Sequence, residues 1–160
     1  MLTAWGYFAS PIGLIRAAAT PAGLRVVELV GAPSQEQDGP GWEHVTEFFE
    51  YAENYFRGGR PVWRGPLDFS GHDPRRVALW REVMEIPYGQ TRSYAELGRR
   101  LALHPRAVGA GMRAAPLLLV IPAQRVIHAD GSIGGFAGFE GVKRWLLDFE
   151  RGNVNPADIS

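Results

Sequence analysis

The sequence predicts an α+β protein, in which a small αβ domain with a three-stranded antiparallel sheet precedes a mostly helical domain. Residues 2–30 alternate short apolar runs with turn residues, which is typical of antiparallel strands. Residues 73–114 contain three helix-start signals in succession. We therefore expect an N-terminal domain over residues 1–70, a C-terminal domain over residues 71–152 and a tail over residues 153–160.

Three strands and one helix are predicted in the N-terminal domain. The segments Ser10–Gly13 and Thr20–Gly23 are turn sequences between apolar runs, so the strands should form a meander that ends near Val30. The polar segment 31–41 that follows is predicted to be a mobile loop. Apolar residues then recur at helical spacing over residues 42–56. A strand or extended linker leads from there to the second domain.

Four helices are predicted in the C-terminal domain from capping residues, first-turn prolines and amphipathic spacing. Their predicted ranges are 74–85, 94–101, 106–114 and 139–151. Thr91 or Ser93 caps the second of them. The second and third helices are short and joined by a brief turn, and the third is basic and rich in small residues. This pattern is typical of a helix-turn-helix, here of a winged-helix-like kind.

The stretch from Leu117 to Phe136 combines the signals of a small pocket. Its apolar start, Leu117–Ile121, predicts a buried strand, which Pro122 ends because proline has no N–H for a strand ladder. A tight polar turn follows, and Asp130-Gly131 marks a second turn before a glycine-rich aromatic segment. A strand that points such a turn at a glycine and phenylalanine wall predicts a pocket for a small group.

The composition, with 46% hydrophobic and 21% charged residues, is that of an ordinary globular protein. No apolar run is long enough to span a membrane, and the first residues lack the basic stretch of a signal peptide, so we expect a cytoplasmic protein. We also expect a monomer. The chain has no cysteine, which excludes disulfides, thiol catalysis and thiolate zinc sites. Its four histidines have no ligand spacing, and we expect no metal and no cofactor.

The formal net charge of zero hides a strong asymmetry. Residues 74–125 contain nine arginines and three glutamates, a net charge of +6, which the rest of the chain balances. Such a block is typical of a face that binds a polyanion. The alternative is that these arginines lie on solvated helix faces and pair with local glutamates; the size of the excess favours the polyanion.

The pocket stretch resembles the active-site segment of the O6-alkylguanine-DNA alkyltransferase family, whose signature Pro-Cys-His-Arg follows an apolar strand. The chain has Pro122-Ala123-Gln124-Arg125 at that place. Flanking motifs of the family occur in the same order over residues 74–152, which is far more specific than a lone motif. These motifs are Tyr88-Gly89, Ser93-Tyr94, Arg106-Ala107-Val108-Gly109, Lys143-Arg144-Trp145-Leu146-Leu147 and Glu150.

The resemblance implies a ribonuclease-H-like N-terminal domain and a C-terminal domain that binds double-stranded DNA in the minor groove. The family arginine at Arg106 fills the space that a flipped nucleotide leaves, and the tyrosine at Tyr94 crowds the phosphate and helps to rotate the base. Ala107, Gly109, Ala110 and Gly111 would give the third helix a slim face for that groove. Helix–helix packing is the alternative role of these small residues.

The site residues that follow from the resemblance form three sets. DNA contacts are expected from Ser93, Tyr94, Arg106, Ala107, Gly109, Ala110, Arg113 and Arg125. The base pocket is expected from Val120, Pro122, Ala123, Phe136, Ala137 and Gly138. Vestigial catalytic positions are Ala123, Gln124 and Glu150, which take the places of the acceptor cysteine, its activating histidine and the carboxylate that orients that histidine.

The chemistry of the family is missing from this sequence. Alanine at position 123 offers no nucleophile, and the Gln124 amide does not titrate near neutrality, so we expect no alkyl transfer. We expect Glu150 to lack its usual partner. Two other positions depart from the family: Ala115 replaces an asparagine that braces the active-site turn, and Phe136-Ala137 replaces a Tyr-Ser pair that lines the pocket.

The resulting hypothesis is a non-catalytic DNA-damage-binding protein that flips O6-alkylguanine into its pocket and feeds nucleotide-excision repair. One alternative is a degenerate relative that binds DNA without lesion preference, or serves as a scaffold for protein partners. The other is an active transferase whose cysteine was removed by engineering. Gln124, Ala115 and Phe136-Ala137 argue against the latter, because it predicts an otherwise intact pocket.

Overall fold

The structure is a computed structural model that describes residues 1–136 and 138–152. These residues form two compact units: residues 1–70 with 116–119, and residues 71–115 with 120–152. The prediction of two domains divided at residue 70 stays a prediction. Ala137 and the predicted tail over residues 153–160 lie outside the described residues.

The sheet of the first unit is antiparallel. It contains β1 (Ala4–Ser10), β2 (Gly13–Thr20), β3 (Gly23–Val30) and β4 (Gln37–Asp38), in the order β3-β2-β1-β4. The predicted meander of three strands is confirmed. The fourth strand corrects the prediction of a loop over residues 31–41, because Gln37 and Asp38 pair with Trp5 and Ala4. The Trp5 indole N–H also donates to the Gln35 carbonyl at 2.9 Å, which holds the segment against the sheet.

Helix α1 (Trp42–Phe56) has the predicted bounds and packs its apolar side on the sheet. Gly41 precedes it at φ +93°, and a Cβ there would lie 2.4 Å from the Thr20 carbonyl oxygen, so only glycine fits. The following segment runs along β3, since Asp68 N donates to Leu24 O at 2.9 Å. Hydrogen bonds from Ser70 and Thr20 lower the pKa of Asp68 to about 2 and fix the end of this unit.

Four helices form most of the second unit, close to their predicted ranges. They are α2 (Pro74–Met84), α3 (Tyr94–Leu101), α4 (Pro105–Arg113) and α5 (Glu140–Glu150). Three side chains cap helix starts: Asp73 accepts from Arg75 N at 2.8 Å, Ser93 from Glu96 N at 3.0 Å, and His104 from Arg106 N at 3.1 Å. These caps satisfy N–H groups that have no partner within the helix.

Helices α3 and α4 form the predicted helix-turn-helix. The turn is tight because Ala102 adopts a left-handed conformation at φ 55°, and Leu103 N donates to Gly98 O at 2.8 Å. A Cβ on Gly98 would lie 2.5 Å from the Leu103 carbonyl oxygen, so this approach requires glycine. Beside the motif, β5 (Arg92–Ser93) and β6 (Val126–Ile127) form a two-stranded parallel sheet.

The apolar segment before Pro122 is buried, but it is not the predicted strand. Leu117 makes only an isolated parallel bridge with Val27 in the first unit. Leu119 turns the chain at φ +70°, which no strand residue adopts. The apolar run therefore reports burial rather than extended structure. Among the described residues, the structure contains no helix with the length and hydropathy of a membrane span.

Candidate nucleic-acid interface

The two faces of α4 differ in exposure. Arg106, Ala107 and Arg113 are exposed and Gly109 and Ala110 are half-buried, so the residues predicted to contact DNA share the outer side. The inner side buries Val108, Gly111 and Met112. Within the described residues, no acidic side chain is found in a salt bridge with Arg106 or Arg113. The outer face therefore offers two cations separated by small side chains.

Gly111 belongs to the packing face rather than to the slim outer face. A Cβ on Gly111 would lie 2.6 Å from Leu79 Cδ2 of α2, and the Trp80 indole N–H donates to the Gly111 carbonyl at 2.9 Å. A Cβ on Gly109 would meet only Arg113 Nη1, at 3.7 Å. Gly111 therefore serves helix packing, while Gly109, on the opposite side of the helix, leaves space for the predicted groove contact.

The basic block is largely on the surface. Arg75, Arg76, Arg81, Arg99, Arg100, Arg106 and Arg113 are all exposed. Some of the block is paired locally, since Arg100 contacts Glu82 at 3.0 Å and Arg92 contacts Glu96 at 3.5 Å. Such partly exposed pairs are weak and can exchange with phosphates.

The parallel register of β5 and β6 positions Tyr94. Ser93 is the register partner of Ile127, so Tyr94 and His128, which directly follow the two strands, lie side by side. Their ring centroids are 4.9 Å apart. Burial raises the pKa of the Tyr94 phenol, and the nearby Arg113 opposes that shift.

Lys143 lies beneath Tyr94 and is almost completely buried. Its Nζ donates to Val126 O at 2.6 Å, to Tyr94 Oη at 3.3 Å and to Gly135 O at 3.4 Å. The ammonium thus ties α5 to β6, to α3 and to the glycine-rich segment. Burial lowers the pKa of Lys143 to about 8.

The turn that carries Ala123 is a single 3₁₀ turn, Ala123–Arg125, braced by Glu150 of α5. The Glu150 carboxylate accepts hydrogen bonds from Gly89 N at 3.0 Å, from Gln124 Nε2 at 2.8 Å, and from Arg125 Nε at 2.8 Å and Nη2 at 3.1 Å. Glu150 therefore has other partners, although the histidine that is its usual partner is absent, as expected. The Gln124 amide donates to this carboxylate in place of a histidine.

Arg125 is directed inward, against the expectation that it contacts DNA. Its side chain is 9% exposed and that of Glu150 is 2% exposed. Besides the ion pair, Nη1 donates to Ile86 O at 2.8 Å, and the guanidinium lies 5.6 Å from the Tyr88 ring centroid. We therefore reassign Arg125 from the DNA-contact set to the brace of the turn, because a guanidinium held this way has no route to a phosphate.

The predicted pocket residues differ in accessibility. Val120 and Pro122 are buried, Ala123 and Phe136 are half-buried, and Gly138 is exposed at φ +87°. Ala137 lies outside the described residues. Gln124 Oε1 is the one buried side-chain oxygen or nitrogen, among the described residues, that has no hydrogen-bond partner.

Two residues of this site were not among those predicted from the sequence. The signal for Lys143 was present: it shares spacing with Leu146, Leu147 and Glu150 on one face of α5, and a lysine on an apolar face is unusual. His128 gave no local signal, since its neighbour Tyr94 is set by a strand register. Among residues 1–136 and 138–152, no cluster of histidine and carboxylate side chains could hold a metal ion.

Comparison with known proteins agrees with this architecture. Residues 74–152 match the family described as 6-O-methylguanine DNA methyltransferase, DNA binding domain. The chain is 46% identical over 144 residues to a DNA base-flipping protein of Thermus thermophilus, covering 88% of this chain and 95% of the relative. It is 34% identical over 146 residues to a methylated-DNA–protein-cysteine methyltransferase of Saccharolobus islandicus, covering 91% and 94%.

A solved structure shares the fold. Mycobacterium tuberculosis OGT in complex with DNA superposes with a TM-score of 0.80 at 27% identity, over 95% of each chain. Fold and site thus define a protein with an alkyltransferase-type DNA-binding domain. The chain belongs to the O6-alkylguanine-DNA alkyltransferase family, as the resemblance predicted, and it is an alkyltransferase-like member without a cysteine.

Proposed function

We propose that this protein is a non-catalytic sensor of DNA damage, which binds the minor groove, flips O6-alkylguanine out of the duplex and holds it unrepaired. One observation supports the proposal most strongly: Glu150 braces the turn at Ala123 with four hydrogen bonds, although the turn lacks the alkyl-accepting cysteine of the family. Because the turn no longer reacts, the retained brace supports a pocket that still binds the flipped base. The name of the Thermus thermophilus relative supports base flipping.

Binding begins with the exposed arginines, which attract phosphates irrespective of sequence. The outer face of α4 then enters the minor groove, where Ala107, Gly109 and Ala110 permit a close approach. Arg106, in the first turn of α4, fills the space of the displaced nucleotide, and Tyr94 presses on the adjacent phosphate. Flipping costs about a few kcal/mol and least for a poorly paired base, so lesions are favoured before any pocket contact.

The flipped base meets a half-buried alanine instead of a nucleophile. Alkyl transfer requires a thiolate, whose sulfur bonds to the alkyl carbon while the bond to O6 breaks. Ala123 has no sulfur, and the Gln124 amide is not a base that could deprotonate a thiol. Backbone carbonyls of the turn remain available to the base. The lesion is therefore retained, and the complex can present it to nucleotide-excision-repair proteins.

The test is fluorescence anisotropy with a labelled duplex that carries one O6-methylguanine and with its unmodified twin, at two salt concentrations. We expect tighter binding to the lesion, and loss of that preference in Arg106→Ala and Tyr94→Phe. Equal binding with a steep salt dependence would mean that the arginines read phosphates alone. Absence of binding to both duplexes would favour a scaffold for protein partners. In both cases the sensor would be rejected.

A further inference from the structure

Tyr94, His128 and Gly134 pack together at the edge of the site. The Tyr94 and His128 rings are tilted by 43° at a centroid distance of 4.9 Å. Gly134 closes the third side at φ +75°, and a Cβ there would lie 2.8 Å from Tyr94 Oη and 3.2 Å from His128 Nε2. The tyrosine therefore cannot swing toward Gly134 or toward the histidine without displacing one of them.

Charged groups of both signs surround this cluster. Asp130 lies in the same turn as His128 and interacts with it electrostatically, while its carboxylate accepts from Ser132 N and Oγ. Lys143 of α5 holds its Nζ 5.6 Å from the Tyr94 ring centroid, and Arg113 of α4 acts on the Tyr94 phenol electrostatically. His128 itself is exposed. A proton on His128 thus adds a solvent-accessible cation at the edge of the site, whereas the Lys143 ammonium is buried.

We propose that His128 is a positioning residue for DNA binding, whose ring holds Tyr94 in place and whose protonated form contacts a phosphate of the bound strand beside Tyr94. Histidine is the side chain whose charge ordinarily changes between about pH 5 and pH 8. The DNA complex then binds up to one more proton than the free protein, so affinity increases as the pH falls. The inference rests on the proposed function, since it requires that DNA approaches Tyr94.

His104 provides an internal contrast of opposite sign. Its Nδ1 accepts the Arg106 N–H at the start of α4. A proton on that nitrogen removes the cap, which loosens the helix that is proposed to enter the groove and weakens binding at low pH. Because His128→Gln leaves His104 in place, loss of the pH dependence in that variant separates the two histidines.

The experiment measures affinity for the O6-methylguanine duplex and its unmodified twin between about pH 6 and pH 8 at constant ionic strength. The wild-type protein should bind about three- to tenfold more tightly at the lower pH, the size expected of a single exposed charge-assisted contact. His128→Gln should lose that dependence. His128→Lys, which also lacks the ring, should bind more tightly than His128→Gln at every pH, because its charge is permanent. His72→Gln is the matched control, as this half-buried ring packs on Trp80 instead.

The outcomes separate this inference from the proposed function. If the protein prefers the lesion and His128→Gln keeps the pH dependence, the role of His128 is overturned and the sensor stands. The phosphate contact of His128 is also overturned if His128→Lys binds no more tightly than His128→Gln, since the lost ring packing alone would then explain the weaker binding. If both duplexes bind equally and the pH dependence disappears in His128→Gln, the His128 contact is supported while the sensor fails. Thermal denaturation confirms that each variant is folded.

Discussion

The two sides of the site are built in different ways. At the turn Ala123–Arg125, a buried carboxylate accepts four hydrogen bonds and an ion pair locks the backbone. Around Tyr94, ring packing and a Lys143 contact of 3.3 Å hold side chains that remain partly accessible. The frame of this site, which is Glu150 with the turn Ala123–Arg125, is therefore separable from its chemistry. The Gln124 amide keeps its hydrogen bond to Glu150, although there is no cysteine nucleophile to activate.

The largest predicted effect concerns the frame. Glu150→Gln leaves the Arg125 guanidinium buried without an anion, which should lower the free energy of unfolding by about 3–5 kcal/mol. Urea denaturation measures this change. Glu53→Gln is the control, since it breaks the exposed pair with Arg57 and should leave the unfolding midpoint nearly unchanged. A midpoint for Glu150→Gln equal to that of the control would contradict the idea of a brace.

Alanine substitutions on the two faces of α4 should change the stability in opposite directions, by less than Glu150→Gln does. Gly111→Ala forces a Cβ against Leu79, which should cost about 1–3 kcal/mol of stability through overpacking. In Gly109→Ala the Cβ meets only Arg113 Nη1, at an ordinary contact distance of 3.7 Å, and should stabilise the helix by up to about 1 kcal/mol. Denaturation and anisotropy on the same samples check both. Weaker DNA binding in Gly109→Leu, without loss of stability, would sharpen the contrast; unaltered binding would remove Gly109 from the interface.

Lys143 connects the two sides, and its protonation should be visible in the stability. Burial holds the pKa of Lys143 at about 8, below that of the unfolded chain, so between about pH 8 and pH 10.5 the unfolded state binds more protons. The Lys143 contribution therefore stabilises the fold as the pH rises through this interval. The difference in unfolding free energy between the wild type and Lys143→Met isolates it. A difference that is constant with pH would show that the burial of this ammonium costs nothing.

The smallest expected effect is a return of chemistry. In the double variant Ala123→Cys/Gln124→His, Glu150 is placed to orient the new imidazole next to the new thiol. We expect slow transfer of at most one methyl group per protein, detected by mass spectrometry after incubation with the O6-methylguanine duplex. Ala123→Cys alone should react more slowly still. Complete inactivity of the double variant, with lesion binding preserved, would mean that the frame no longer aligns a nucleophile.

Local signals explain which parts of the fold were predictable. Strands β1 to β3 alternate with turn sequences, and α1 has the predicted bounds because its apolar spacing spans the whole helix. Asp73, Ser93 and His104 mark helix starts through hydrogen bonds within three residues of the cap. Such contacts join residues that are close in sequence, so the sequence predicts them.

Distant contacts explain what was missed. The strand β4 depends on pairing with β1, more than 30 residues earlier. Arg125 is placed by Glu150, 25 residues later, and a basic residue in a basic segment gives no sign that its partner is buried. His128 meets Tyr94 only through the β5–β6 register. The apolar run before Pro122 indicated burial correctly, but only Leu119, at φ +70°, decides that no strand forms.

If the proposed function is right, the site holds a flipped base without reacting with it. Fluorescence of 2-aminopurine placed next to O6-methylguanine tests this most directly, because the probe brightens when its neighbour leaves the stack. Saturating protein should raise the fluorescence of the lesion duplex, and Arg106→Ala should reduce the rise. The duplex recovered afterwards should retain its methyl group. Binding without any rise in fluorescence, or recovery of demethylated DNA, would contradict the account.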